Sequence, residues 1–129
     1  MEENTIVILS ADHGEMLGSH GLMSKNIWYE ESIHIPLMIR QKEKIKAVDN
    51  DGIFASPDHM PTVLELLELP IPETCEGYSH VKGMFGEDEN EPQDMLICSY
   101  PGGAEMVKAF SDKGLSHKAY GWRGIKDKR

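Results

Sequence analysis

The chain has 129 residues, enough for one domain that buries roughly two thirds of the surface it would expose unfolded. Thirteen Lys and Arg against 22 Asp and Glu give a net charge of −9 with His neutral, which argues against a phosphate-backbone binder, whose affinity comes from cationic side chains. No apolar run nears the roughly 20 residues of a membrane helix, and the acidic Met1-Glu2-Glu3 start is unlike the basic opening of a signal peptide, so neither nucleic acid nor membrane is an expected partner and no compartment is assigned.

In chain order, Thr5–Ser10 is a continuous apolar, β-branched run and predicts a strand buried on both faces. A long loop punctuated by Gly14, Gly18 and Gly21 follows from Asp12 to Lys25, and long ordered loops are usually functional. Pro36–Arg40 predicts a second strand, with the proline near its start, where a missing amide is tolerated. Gln41–Lys46 is charge-mixed and reads as a solvated turn. From Ser56 the period changes: Met60, Val63, Leu64 and Leu67 fall at i, i+3, i+4 and i+7, which predicts a helix with Ser56 or Asp58 as N-cap, Pro61 in the first turn, and a stop at Pro70 and Pro72. Gly83–Pro92 is a polar, acidic loop and the candidate subdomain boundary. Met95–Cys98 is a third strand, and Tyr120–Lys126 alternates like a strand with one exposed face.

Ligands in open α/β sheets collect beyond the carboxyl ends of strands, and there the first strand empties into Asp12, His13 and Gly14. Asp offers hard oxygen, His offers imidazole nitrogen, and Gly14 is expected to allow a tight backbone turn beside an ion. Cys75 and Cys98 have no spacing to each other or to a His that would make a zinc knuckle or a disulfide framework, and both read as ordinary thiols. His34, His59, His80 and His117 are scattered and receive no role; Glu30 and Glu31 are expected to hold Lys25 or the loop through ion pairs.

The apolar strand, Asp12-His13-Gly14, Gly18-Ser19-His20-Gly21, Lys25 thirteen residues after Asp12, Tyr29-Glu30-Glu31 and the strand opening Pro36-Leu37 together resemble the second metal-binding segment of type I sulfatases in the alkaline phosphatase superfamily. A looser similarity runs through Ser56–Pro70 and touches Trp122–Ile125. The resemblance implies an α/β fold, part of an alkaline-phosphatase-like sandwich with a mainly parallel sheet, followed by the start of a small antiparallel carboxyl-terminal sheet. Residues 1–82 would be the carboxyl-terminal part of the catalytic domain, and 83–129 a loop and truncated subdomain.

The implied activity is metal-dependent sulfuric ester hydrolysis, on a sulfate-ester small molecule or a sulfated sugar. By the same resemblance Asp12 ligates a divalent cation, usually Ca²⁺ in this family, and His13 takes the second place, where many members have Asn. Because imidazole suits transition ions better than Ca²⁺, Mn²⁺ or Zn²⁺ is open, as is a hydrogen bond from His13 to substrate. Lys25 would stabilise the sulfate or the leaving oxygen, and His20 would touch substrate, donate a proton, or only orient the loop. The family's Asp-Asp metal pair and its Cys-x-Pro-x-Arg or Ser-x-Pro-x-Arg nucleophile segment, site of the formylglycine, do not occur in these 129 residues. They are expected on a preceding amino-terminal half, so the chain alone is expected to be inactive. Two alternatives stand: a phosphonate monoester or phosphodiester hydrolase of the same superfamily, and a non-catalytic metal-binding fragment.

Overall fold

The computed structural model describes residues 4–87, 91–99, 103–116 and 121–128. Four strands and four helices follow one another as β1 (Ile6–Ser10), α1 (Glu30–Ile33), β2 (Leu37–Gln41), α2 (His59–Leu66), α3 (Val81–Met84), β3 (Asp94–Ser99), α4 (Gly103–Asp112) and β4 (Trp122–Asp127). The strands pair as two two-stranded sheets, β1 with β2 and β3 with β4. His117 and Tyr120, and Asn90 of the expected acidic loop, lie outside the described residues.

The chain packs as two compact units. The first comprises Met1–Ile8, Met38–Met95 and Asp127–Arg129. Its interior holds Ile53, Leu66 and Val81, together with the buried polar side chains of Asp58, Thr62 and His80. Helix α2 follows a short 3-10 turn over Ser56–Asp58. Its buried residues are Pro61, Thr62 and Leu66, whereas Met60 and Leu67 of the expected apolar stripe are exposed. The Thr62 hydroxyl oxygen accepts from the His80 backbone N–H at 3.2 Å. Asp58 does not cap α2 in the forward direction. Its carboxylate reaches back to the Ala55 N–H at 2.8 Å and across to the Tyr78 N–H at 2.8 Å.

The second unit comprises Leu9–Leu37 and Leu96–Lys126. Met16, almost wholly buried, is its central apolar side chain, and Ser32 is buried in α1. Trp28 and Trp122 meet edge to face with ring centroids 5.9 Å apart, and Lys126 pairs with Glu30. Helix α4 arises where no helix was expected, and α3 begins two residues before the expected polar loop and ends inside it.

Strand β1 corrects an expectation. It is not buried on both faces: Val7, Ile8 and Leu9 are 49%, 39% and 51% exposed. A strand of this composition becomes interior only when it has neighbours on both edges and layers on both faces, and among the described residues β1 pairs with β2 alone.

Candidate functional site

Asp12, His13 and Lys25 come together just beyond the carboxyl end of β1. His13 Nδ1 lies 2.7 Å from the Gly14 carbonyl, which can only accept, so Nδ1 carries the proton. Nε2 then presents its lone pair and accepts from Lys25 Nζ at 2.7 Å. The same Nε2 lies 3.4 Å from Asp12 Oδ2, with the Lys25 ammonium beside the pair to offset two facing lone pairs. Donors about 2.1–2.4 Å from one ion and roughly at right angles would lie about 3.2 Å apart, so the pair fits a shared divalent cation. The Nδ1–H bond to a backbone carbonyl is also the support that a ligating imidazole normally has. Among the described residues no three His, Cys, Asp or Glu side chains converge on a metal position. The site is open to water, with Asp12 87% exposed.

Lys25 is held by its neighbours. The Ser24 carbonyl accepts from the Met16 N–H at 2.8 Å, and the Asn26 carbonyl accepts from the Trp122 indole N–H at 3.1 Å. Gly14 is required for a reason other than the expected tight turn, since its φ is not positive. It donates its N–H to the Ser32 carbonyl at 2.9 Å, and a Cβ placed on it would lie 2.0 Å from the Glu31 carbonyl oxygen. Close approach to α1 excludes a side chain there.

His20 stands apart from this trio. Its ring stacks on Tyr29 with centroids 3.9 Å apart and planes 9° from parallel, and Nε2 lies 3.7 Å from Glu31 Oε1. The Glu31 carboxyl is held below its usual range chiefly by a hydrogen bond from its own backbone N–H, which burial opposes and to which the Ser19 hydroxyl and the charge of His20 add less. Of the two glutamates expected to serve the loop, Glu31 does so through His20, while Glu30 turns to Lys126 and His34. Cys75 and Cys98 are free thiols. Among the described residues no helix is long and apolar enough to cross a membrane.

The family model for sulfatases matches residues 1–69. The chain belongs to the sulfatase family. This sulfatase chain is 33% identical over 110 residues to the ulvan-active sulfatase of Formosa agariphila, a match that covers 80% of the chain and 22% of that protein. A solved Bacteroides thetaiotaomicron protein designated 4S-sulf, from a locus for metabolism of multiple glycosaminoglycans, superimposes with a TM-score of 0.81 at 32% identity, over 98% of the chain and 26% of that structure. A second structure, solved in complex with its substrate D-glucosamine-2-N,6-O-disulfate, superimposes with a TM-score of 0.73 at 25% identity, again over 98% of the chain and 24% of its own length. The chain thus spans about a quarter or less of the relatives it matches, and its fold is of the α/β class to which they belong.

Proposed function

We propose that this chain forms one wall of a metal-dependent sulfuric ester hydrolase site, with Asp12 and His13 as two cation ligands and Lys25 as the charge that holds the sulfate. The observation that supports the reading is the convergence of Lys25 Nζ and Asp12 Oδ2 on one imidazole nitrogen, 2.7 and 3.4 Å away, inside the segment that matches the sulfatase family. A divalent ion bound there would draw electron density from the ester and tolerate the charge of its oxygens. Asp12 suits Ca²⁺, and the imidazole of His13 extends the range to Mn²⁺ or Zn²⁺.

The tautomer of His13 is set by Gly14, so Nε2 carries a lone pair, which Lys25 Nζ occupies here and would yield to a bound cation. Lys25 supplies a compact positive charge beside it and can follow a sulfate oxygen on its flexible stem. The site's openness suits an extended, polar substrate, and the named substrates of the relatives point to a sulfated sugar. The attacking group must come from elsewhere, because neither cysteine stands in a Cys-x-Pro-x-Arg context, and the other ligands would come with it on an amino-terminal half of the catalytic domain. On this reading the 129 residues alone do not turn over substrate.

Calorimetric titration of the chain with Ca²⁺, Mn²⁺ and Zn²⁺ tests the metal assignment. Saturable binding that is lost in Asp12→Ala is expected; no binding of any of the three at millimolar concentration overturns it. In an assembly that supplies the nucleophile, faster turnover of an aryl phosphodiester than of an aryl sulfate would move the reading to the phosphonate and phosphodiester branch.

A further inference from the structure

The loop between His13 and Lys25 is held in an unfavourable backbone shape with little burial to compensate. Leu17, His20, Ser24 and Asn26 all have positive φ, at 47°, 54°, 71° and 76°. A non-glycine residue in that region carries backbone strain. Leu17 and Met23 are 79% and 73% exposed and return little of that. The Gly18, Ser19, Gly21 and Leu22 N–H groups donate to the Leu22, Met16, Gly18 and Ser19 carbonyls and hold the local shape, and a few attachments fix it to its surroundings. Met16 is the attachment at the base, buried and bonded to Ser24. At the apex the attachments are the Ser19 hydroxyl, bonded to Glu31, and His20, whose ring lies flat on Tyr29 and whose Nε2 faces Glu31.

Tyr29 and Glu31 are also what the metal-site end of the loop rests on. The Tyr29 carbonyl accepts from Ser32 and Ile33 at the start of α1, the Glu31 carbonyl crowds Gly14, and the Ser32 carbonyl receives the Gly14 N–H. His20 thus closes a circuit: Gly14 is fixed to α1 from one side, and the loop apex is fixed to the same turn of α1 from the other. Lys25 lies on the limb between the apex and Tyr29.

We infer that His20 is a positioning residue, clamping the loop apex on Tyr29 and Glu31 so that the Lys25 ammonium is delivered to His13, and that it is not the proton donor of the site. A proton donor to a leaving group needs a ring nitrogen directed at substrate, and the Nε2 of His20 is directed at a carboxylate. The inference rests on the sulfate-holding role proposed for Lys25, and the test separates the two.

The test uses the full 129-residue chain with inorganic sulfate as probe. Its variants are Lys25→Ala, His20→Ala, His20→Phe, which keeps a ring on Tyr29, and the double variant His20→Ala/Lys25→Ala. Two readouts are followed: the NMR contact between the Lys25 side chain and the His13 ring, and the sulfate dissociation constant. His20→Ala is expected to lose the Lys25–His13 contact and to weaken sulfate by about tenfold, the order of one displaced charge-assisted contact. The double variant is expected to bind no worse than Lys25→Ala, because a residue that acts only through Lys25 has nothing left to lose. His20→Phe should recover part of the contact. Additive losses in the double variant mean that His20 touches the anion itself and overturn the inference. So does a Lys25–His13 contact that survives in both His20 variants. If the wild-type chain shows the contact but binds no sulfate, the proposed role of Lys25 fails, while the NMR contact in the His20 variants still decides whether His20 positions that side chain.

Discussion

His80 and Asp58, 22 residues apart in sequence, meet with Nε2 and Oδ2 3.2 Å apart in the interior of the first unit, where both are almost fully buried. The carboxylate has further work: it accepts the backbone N–H groups of Ala55 and Tyr78. Phe54 and Tyr78 pack their rings against the imidazole, and Glu91 lies 4.0 Å from its other nitrogen. Removal of the carboxylate leaves a buried ring nitrogen and two partly buried backbone donors without that acceptor. Asp58→Ala should therefore destabilise the unit by about 3 kcal/mol, well above a typical surface substitution. Urea unfolding followed by tryptophan-independent circular dichroism checks this, and a loss under 1 kcal/mol would contradict the burial seen here.

Helix α2 ends with an acidic residue where glycine is preferred. The Leu69 N–H bonds the Leu64 carbonyl and the Glu68 N–H bonds the Glu65 carbonyl, both at 2.9 Å, with Glu68 at φ 57°. This paired-bond ending is repeated at α3, where the left-handed position is Gly86. A side chain in that conformation is strained, and a carboxylate at a helix carboxyl end is opposed by the helix dipole. Glu68→Gly should stabilise by about 1 kcal/mol, raising the melting midpoint by roughly 4 °C. Differential scanning calorimetry would read it, and a lower midpoint would mean that Glu68 has a partner worth more than the strain.

The local elements were legible in the sequence because each rests on neighbours in the chain: β1, β2, α2, β3 and β4 all stand within a few residues of where periodicity and turn residues put them. Asp12, His13 and Lys25 were legible through a spaced motif, not through any one residue. What could not be read was whatever depends on distant partners. The exposure of β1 is set by how many strands flank it, which its own composition cannot state. Nothing near His80 announces Asp58, and nothing near Trp122 announces the Asn26 carbonyl 96 residues away that it bonds. The burial of Thr62 in place of Met60 and Leu67 goes with its bond to the His80 N–H, 18 residues on, which apolar spacing cannot announce.

The loop should respond to acid through Glu31. Its carboxyl ionises below the ordinary value of 4.5 in the folded chain, chiefly because its own backbone N–H bonds the charged form, with Ser19 and His20 adding to that. The folded state then binds fewer protons than the unfolded state around that pH, so the stabilisation is complete above the unfolded value and disappears as pH falls through the lower, folded one. Below about pH 4.5 the wild-type melting temperature should fall more steeply than that of Glu31→Gln, and above pH 6 the gap between them should stay constant. Because the carboxylate is exposed, the His20 part should shrink in high salt. Melting curves from pH 3 to 7 at two salt concentrations would show it. Parallel curves would mean that Glu31 is no better held in the fold than out of it.

Gly14→Ala should be more damaging to the site than its size implies. The new methyl carbon would lie 2.0 Å from the Glu31 carbonyl oxygen and 2.9 Å from the Glu31 carbonyl carbon, and both are backbone atoms that cannot swing aside like a side chain. The 2.9 Å bond from Gly14 to Ser32 must break as the strand end moves away, and it carries His13 with it, since Nδ1 is bound to the Gly14 carbonyl. Alanine at Gly18 tests the converse: that position meets no atom within 4 Å, so its penalty is conformational, from φ 96°, and should stay near 1 kcal/mol. The expected result is that Gly14→Ala abolishes cation binding while Gly18→Ala lowers stability and leaves cation affinity within about threefold of wild type. If the two alanines weaken cation binding equally, the Asp12–His13 pair does not depend on the contact between Gly14 and α1, and the placement of the site must come from β1 alone.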